Sequence, residues 1–137
     1  MWESVETAPG VYNKTYLQEV DRLITKLGEK GIYTLVDAHQ DVLARAICGE
    51  GMPNFYAKEI LKDQQNYCIG TWFDIFFAPI AKLFGLCKPL KDYGYKLDTD
   101  GNPLISECQK TEFFMYYTSP ESLTLFRALY YNHNNMW

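Results

Sequence analysis

Ile32-Tyr33-Thr34-Leu35-Val36, running without a break into Asp37-Ala38-His39-Gln40-Asp41, is the stretch on which the fold reading turns. Five apolar and β-branched residues in a row predict a buried strand, of the kind found in parallel sheets covered by helices. In such sheets ligands meet the carboxyl ends of the strands, where loops converge on one face. The polar cluster 37–41 therefore falls where a site is expected. If the backbone stays extended, alternation places Asp37, His39 and Asp41 on one side and Gln40 on the other.

Working outward, a helix precedes the strand. Thr15 with Gln18 fits a capping box, Leu17, Val20, Ile24 and Leu27 form one apolar stripe, and Gly28 and Gly31 supply the stop. Before it, residues 1–14 read as a loop with a turn at Pro9-Gly10. After the strand, residues 42–118 show no second clear strand and read as a long irregular insertion, a feature that is usually functional. Ser119-Pro120 opens another helix, with Ser as N-cap and Pro at the first helical position. Leu123, Phe126, Leu129 and Tyr130 form its stripe. Two helices, one strand and a long insertion do not complete a fold, because one strand cannot form a sheet. The 137 residues thus read as a section of a larger α/β protein.

Composition narrows the function. A net charge of -4 and a pI near 5.1 argue against nucleic-acid binding, since no basic stripe is present to displace phosphate counterions. Hydrophobic residues at 47% suffice for a packed core. Residues 1–15 show no secretory leader, and no stretch is long and apolar enough to span a membrane. Cys48, Cys68, Cys87 and Cys108 are too widely spaced for a zinc site. They allow two disulfides in three connectivities, or buried free thiols. Asn13-Lys14-Thr15 is a glycosylation acceptor by rule. Together with disulfides it would agree with a secreted or lysosomal, lumenal protein.

His39 is one of two histidines, the other being His133. It reads either as a hydrogen-bond donor to a substrate hydroxyl or a catalytic carboxylate, or as a structural histidine. Asp41 reads either as a charge-assisted acceptor for a sugar hydroxyl or as a turn or cap residue. Asp37, nearer the strand body, reads as structural. Metal binding by His39 and Asp41 lacks a third ligand nearby. Glu3 and Glu6, three apart on one loop, cannot flank a scissile bond, and read as facing solvent or bonding to backbone. The aromatic segment Trp72–Leu86 reads as packing against a larger domain, with a cover over a lipid-facing groove as the alternative. Phe113, Phe114, Tyr116 and Tyr117 read as core packing rather than a stacking floor.

Several of these motifs carry a family likeness. The run Met1 to Asn13 (MWESVETAPGVYN), Tyr16-Leu17, Gly31-Ile32-Tyr33 through Asp37-Ala38-His39-Gln40-Asp41-Val42-Leu43, and Cys48-Gly49-Glu50-Gly51-Met52-Pro53 resemble glycoside hydrolase family 5, in its endoglycoceramidase branch. Residues 54–112 resemble the family's variable loop only loosely, and 113–132 its next helical stretch. The resemblance implies a (β/α)8 TIM barrel of which residues 1–137 are one section, around the third strand, with 42–118 as the insertion. It implies a retaining hydrolase acting on O-glycosyl bonds, without metal or cofactor. Its substrate would be a glycosphingolipid cut between oligosaccharide and ceramide. The family's catalytic glutamates lie on the fourth strand, after an Asn, and on the seventh; this chain contains no Asn-Glu pair and would be inactive alone. By the same resemblance His39, Asp41 and Trp2 bind substrate, and His39 steadies the catalytic acid region. The aromatic segment would lie where a lipid tail is accommodated, at a membrane surface. The remaining partner would be the rest of the barrel. Two alternatives stand beside this: a truncated, non-catalytic glycolipid- or sugar-binding relative, and a family 5 hydrolase of β-glucan.

Overall fold

In the computed structural model, residues 2–37, 39, 41–62, 77 and 79–136 are described. The N-terminal stretch is more ordered than a loop. Helix α1 (Trp2–Val5) leads into strand β1 (Glu6–Ala8), which turns at Pro9-Gly10 and pairs antiparallel with β2 (Val11–Tyr12). Helix α2 (Lys14–Glu29) follows. Its N-cap is Asn13 rather than Thr15: the Asn13 side chain accepts from the Tyr16 amide at 3.0 Å, satisfying one of the helix's orphan donors. The glycine stop forms as expected. Gly31 takes a φ of 72°, and the amides of Gly31 and Ile32 donate back to the carbonyls of Gly28 and Leu27. A side chain at Gly31 would oppose that left-handed turn.

The predicted strand 32–36 does not form. Ile32, Leu35 and Val36 are exposed, and Tyr33 is fully so. The apolar run has the right composition, but a strand needs a ladder partner, and among the described residues none lies beside it. The stripe of α2 shares this fate: it is amphipathic, yet none of its residues is buried.

The core lies instead in what reads as insertion. Val42, Leu43, Ala44, Ile47, Met52, Ala57 and Ile60 pack with Tyr116, Leu125 and Ala128. Residues 42–118 thus hold helix α3 (Asn54–Lys62), a helical segment at residues 79–83, the short helix α4 (Ile105–Cys108) and three 3-10 turns, including Phe113–Thr118. Helix α5 (Pro120–Tyr130) closes the core against α3. It starts as expected, with Ser119 capping the Ser122 amide and Pro120 at the first position.

A disulfide joins Cys48 to Cys108, 60 positions apart, and Cys87 is disulfide-bonded as well. Closing a loop of that length restricts the unfolded chain by about 4 kcal/mol in the chain-entropy model. The backbone after Asp41 is tight. Val42 and Leu43 have φ of 52° and 66°, and the Ala44 amide donates to the Val42 carbonyl at 2.9 Å, a γ-turn of the strained hand. Gly49 lies against this turn: a Cβ there would sit 2.4 Å from the Val42 carbonyl oxygen. Among the described residues, no helix is long and apolar enough to cross a membrane. Of the aromatic segment, residues 72–76 and 78 lie outside the described residues. Phe77, Ile80, Leu83, Phe84 and Leu86 are exposed.

Candidate functional site

The turn that buries Val42 and Leu43 leaves the preceding polar residues at the surface. There His39 lies between two carboxylates. Its Nδ1 is 3.0 Å from Asp37 Oδ2 and its Nε2 is 3.1 Å from Asp41 Oδ2. The three side chains therefore share one side, as alternation predicts. Asp41 is held from the other direction as well, because Tyr117 donates its hydroxyl to Asp41 Oδ1. Tyr117 is in turn stacked on Phe126 and edged by Phe113.

The electrostatics follow from these bonds. The Tyr117 hydroxyl, and after it His39, hold the Asp41 carboxyl below the usual range. The bonds to Asp41 and then Asp37 push the His39 imidazole up. The Asp41 carboxylate pushes the Tyr117 phenol up. Neutral imidazole can donate from only one nitrogen, so two carboxylate partners favour the cation. A histidine engaged in this way is a poor general base. It fixes the orientation of Asp41, which keeps free acceptor capacity for a ligand hydroxyl.

Trp2 is placed elsewhere. Its indole Nε1 donates to Glu6 Oε2 at 2.6 Å, and its ring packs on Tyr56 with centroids 5.4 Å apart. Among the described residues no hydrogen bond, ion pair or ring contact joins Trp2 to His39 or Asp41. Glu6 does bond to backbone, accepting from the Gly10 amide at 2.8 Å, but it does not face solvent: it is 3% exposed. Tyr56 also donates to it at 2.8 Å. Burial pushes the Glu6 carboxyl up, and the Gly10, Trp2 and Tyr56 bonds together outweigh that and leave it lowered. Burial and the same carboxylate push the Tyr56 phenol up to about 12.

Of the aromatic quartet, Tyr116 is core as expected, Tyr117 is half-buried against the core and at the same time holds Asp41, and Phe113 and Phe114 are exposed. No spacing signal marks Tyr117, since its partner is 76 positions away. Beyond it lies a pocket of about 660 Å³ beside the Cys48–Cys108 disulfide, lined by Arg45, Glu50, Glu112 and Phe113 among others. Neither His39, Asp41 nor Trp2 lines it. Among the described residues, no group of three or more His, Cys, Asp or Glu side chains is arranged to hold a metal ion.

Comparison with known proteins places the chain among glycosidase-like sequences. It is 30% identical over 124 residues to an endoglycoceramidase of Cyanea nozakii, covering 90% of this chain and 20% of that protein. It is 32% identical over 122 residues to an endoglycoceramidase of Hydra vulgaris, covering 88% and 19%. It is also 38% identical over 132 residues to the ergosteryl-beta-glucosidase of Saccharomyces cerevisiae, covering 73% and 17%. No family model matches the chain, and no solved structure gives a significant match. The chain is therefore endoglycoceramidase-like in sequence over most of its length, as its motifs suggest, and it spans about a fifth of the length of these relatives.

Proposed function

We propose that this chain forms part of the sugar-binding rim of a retaining glycoside hydrolase that cleaves the oligosaccharide–ceramide bond of glycosphingolipids. The observation that carries the reading is the Asp41 carboxylate, fixed by His39 on one oxygen and Tyr117 on the other and turned to the surface. A carboxylate oriented in this way suits the hydroxyls of a sugar ring, because each hydroxyl can donate to it a charge-assisted bond.

In this proposal the chain is a section of a (β/α)8 barrel. Residues 32–36, which form no strand among these residues alone, would pair as its third strand in the longer protein, where neighbouring strands and helices would cover their apolar side chains. Their exposure, and that of the α2 stripe, supports the idea of a missing cover. Bond cleavage would fall to two carboxyls about 5 Å apart, one acting as nucleophile and the other as acid and then base. Both would come from outside these residues, and His39 and Asp41 would hold the glycone against them. The exposed Leu83 and Phe84 would meet the lipid portion at a membrane surface. The disulfides support a secreted or lumenal setting.

The test is product analysis on the full-length protein with glucosylceramide, lactosylceramide and β-glucan. Release of intact sugar headgroup and ceramide is the expected result. Cleavage of glucan alone would reject the ceramide assignment, and sugar binding without turnover would reject catalysis.

A further inference from the structure

Asn13-Lys14-Thr15 is the one Asn-x-Ser/Thr triplet in the sequence, and the function proposed above makes no use of it. The two polar atoms of the Asn13 side chain are treated differently by the fold. Oδ1 caps α2, accepting from the Tyr16 amide at 3.0 Å. Nδ2 has no hydrogen-bond partner among the described residues. The backbone around it is held: the Asn13 amide donates to the Val5 carbonyl at 2.7 Å, and the Asn13 carbonyl accepts from the Leu17 amide at 3.1 Å. The residues on either side, Tyr12 and Lys14, are exposed.

Capping alone does not call for this triplet. Asp, Ser and Thr also cap helices, and none of them carries an amide nitrogen. Thr15 is the second residue of α2 and has no capping role. It is exposed, makes no hydrogen bond among the described residues, and is of a type that helices favour less than Ala, Leu or Lys. An Asn with an unengaged Nδ2, two positions before an exposed Thr hydroxyl, is the acceptor pattern for an N-linked glycan. The cysteines agree with the compartment in which such glycans are added. Cys48 is bridged to Cys108 and Cys87 is disulfide-bonded, and disulfides form and persist in oxidising settings such as the lumen of the endoplasmic reticulum.

We infer that Asn13 carries an N-linked oligosaccharide and caps α2 at the same time. In the transfer, Asn13 Nδ2 forms a bond to the anomeric carbon of an oligosaccharide carried on a lipid diphosphate. The bond from that carbon to the diphosphate oxygen breaks, the lipid diphosphate leaves with the electron pair, and Nδ2 gives up one of its two protons. The side-chain carbonyl is untouched, so Oδ1 goes on accepting from the Tyr16 amide. The product places a bulky polar group next to Val11 and Tyr12, both more than half exposed. This inference rests on the lumenal setting proposed above and is independent of the sugar-binding reading of Asp41.

Peptide mass spectrometry tests it on the full-length protein, expressed with its own termini in a eukaryotic cell line and digested with an N-glycan amidase in heavy-oxygen water. Wild type is expected to yield the peptide spanning residue 13 with its side chain converted to a labelled carboxylate, and to migrate faster on a gel after digestion. Thr15→Ala leaves the Asn13 cap in place, and Asn13→Asp replaces it with another good cap. Both variants should lose the label and the shift while melting close to deglycosylated wild type, and Thr15→Ser should keep them. An unlabelled Asn13 peptide in wild type, or a label retained in Thr15→Ala, would overturn the inference. A non-reducing peptide map of the same sample locates the failure. A bridged Cys48–Cys108 pair with unlabelled Asn13 sinks the glycan alone, whereas free thiols with unlabelled Asn13 sink the lumenal setting with it.

Discussion

Tyr117 donates its hydroxyl to the carboxylate of Asp41, 76 positions earlier, and so ties the end of the 32–41 segment to the aromatic turn 113–118. The other Asp41 oxygen meets His39 at 3.1 Å. Tyr117→Phe removes the first of these restraints and keeps the ring. The Asp41 carboxyl should then titrate closer to the ordinary value, measured by carboxyl-carbon NMR. Sugar affinity in the full-length protein should fall about tenfold, the size of one hydrogen bond to a charged group.

His39 offers a titration of its own. Its two carboxylate contacts raise the imidazole above its ordinary value of 6.5. A folded-state value above the unfolded one means that the contacts contribute fully below that ordinary value. Their contribution fades as pH rises through the folded value. Proton NMR should show His39 titrating above its own value in the unfolded chain, and Asp41→Asn should move it back toward 6.5, because it removes the largest cause.

Glu6 is a structural hub. Glu6→Ala leaves the Trp2 indole and the Tyr56 hydroxyl without their acceptor, and should destabilise the chain by about 2–3 kcal/mol in urea unfolding. The Glu6 carboxyl is lowered, so its contribution is present above the unfolded value and lost as pH falls through the folded one. The acid limb of a stability–pH curve should flatten in the variant.

Gly49→Ala places a methyl group 2.4 Å from the Val42 carbonyl oxygen, against backbone that cannot swing aside. The expected loss is about 3 kcal/mol or more, among the largest for a single methyl group. A melting temperature within a few degrees of wild type would show that the 41–50 turn is looser than described.

The sequence made some of this legible and hid the rest for physical reasons. Local signals are the legible ones. The Gly31 stop and the Ser119-Pro120 start depend on neighbours no more than five residues away. The shared side of Asp37, His39 and Asp41 follows from alternation over five residues. The core was misplaced, because 32–36 has the composition of a buried strand while burial depends on partners the described residues do not provide. Val42, Leu43 and Ala44 lack any periodicity, being packed through a strained turn rather than a regular element. Tyr117 was hidden by distance along the chain, and Glu6 by its setting on a short ribbon whose acceptor role needs Tyr56.

In the proposed function, Asp41 is the acceptor for a sugar hydroxyl. Its direct test is kcat/KM of the full-length protein on glucosylceramide, for wild type and Asp41→Ala, with melting curves of both. Loss of a fixed charge-assisted contact predicts a fall of about a hundredfold or more, with melting temperatures within about 3 °C. Equal kcat/KM in the two proteins would contradict it.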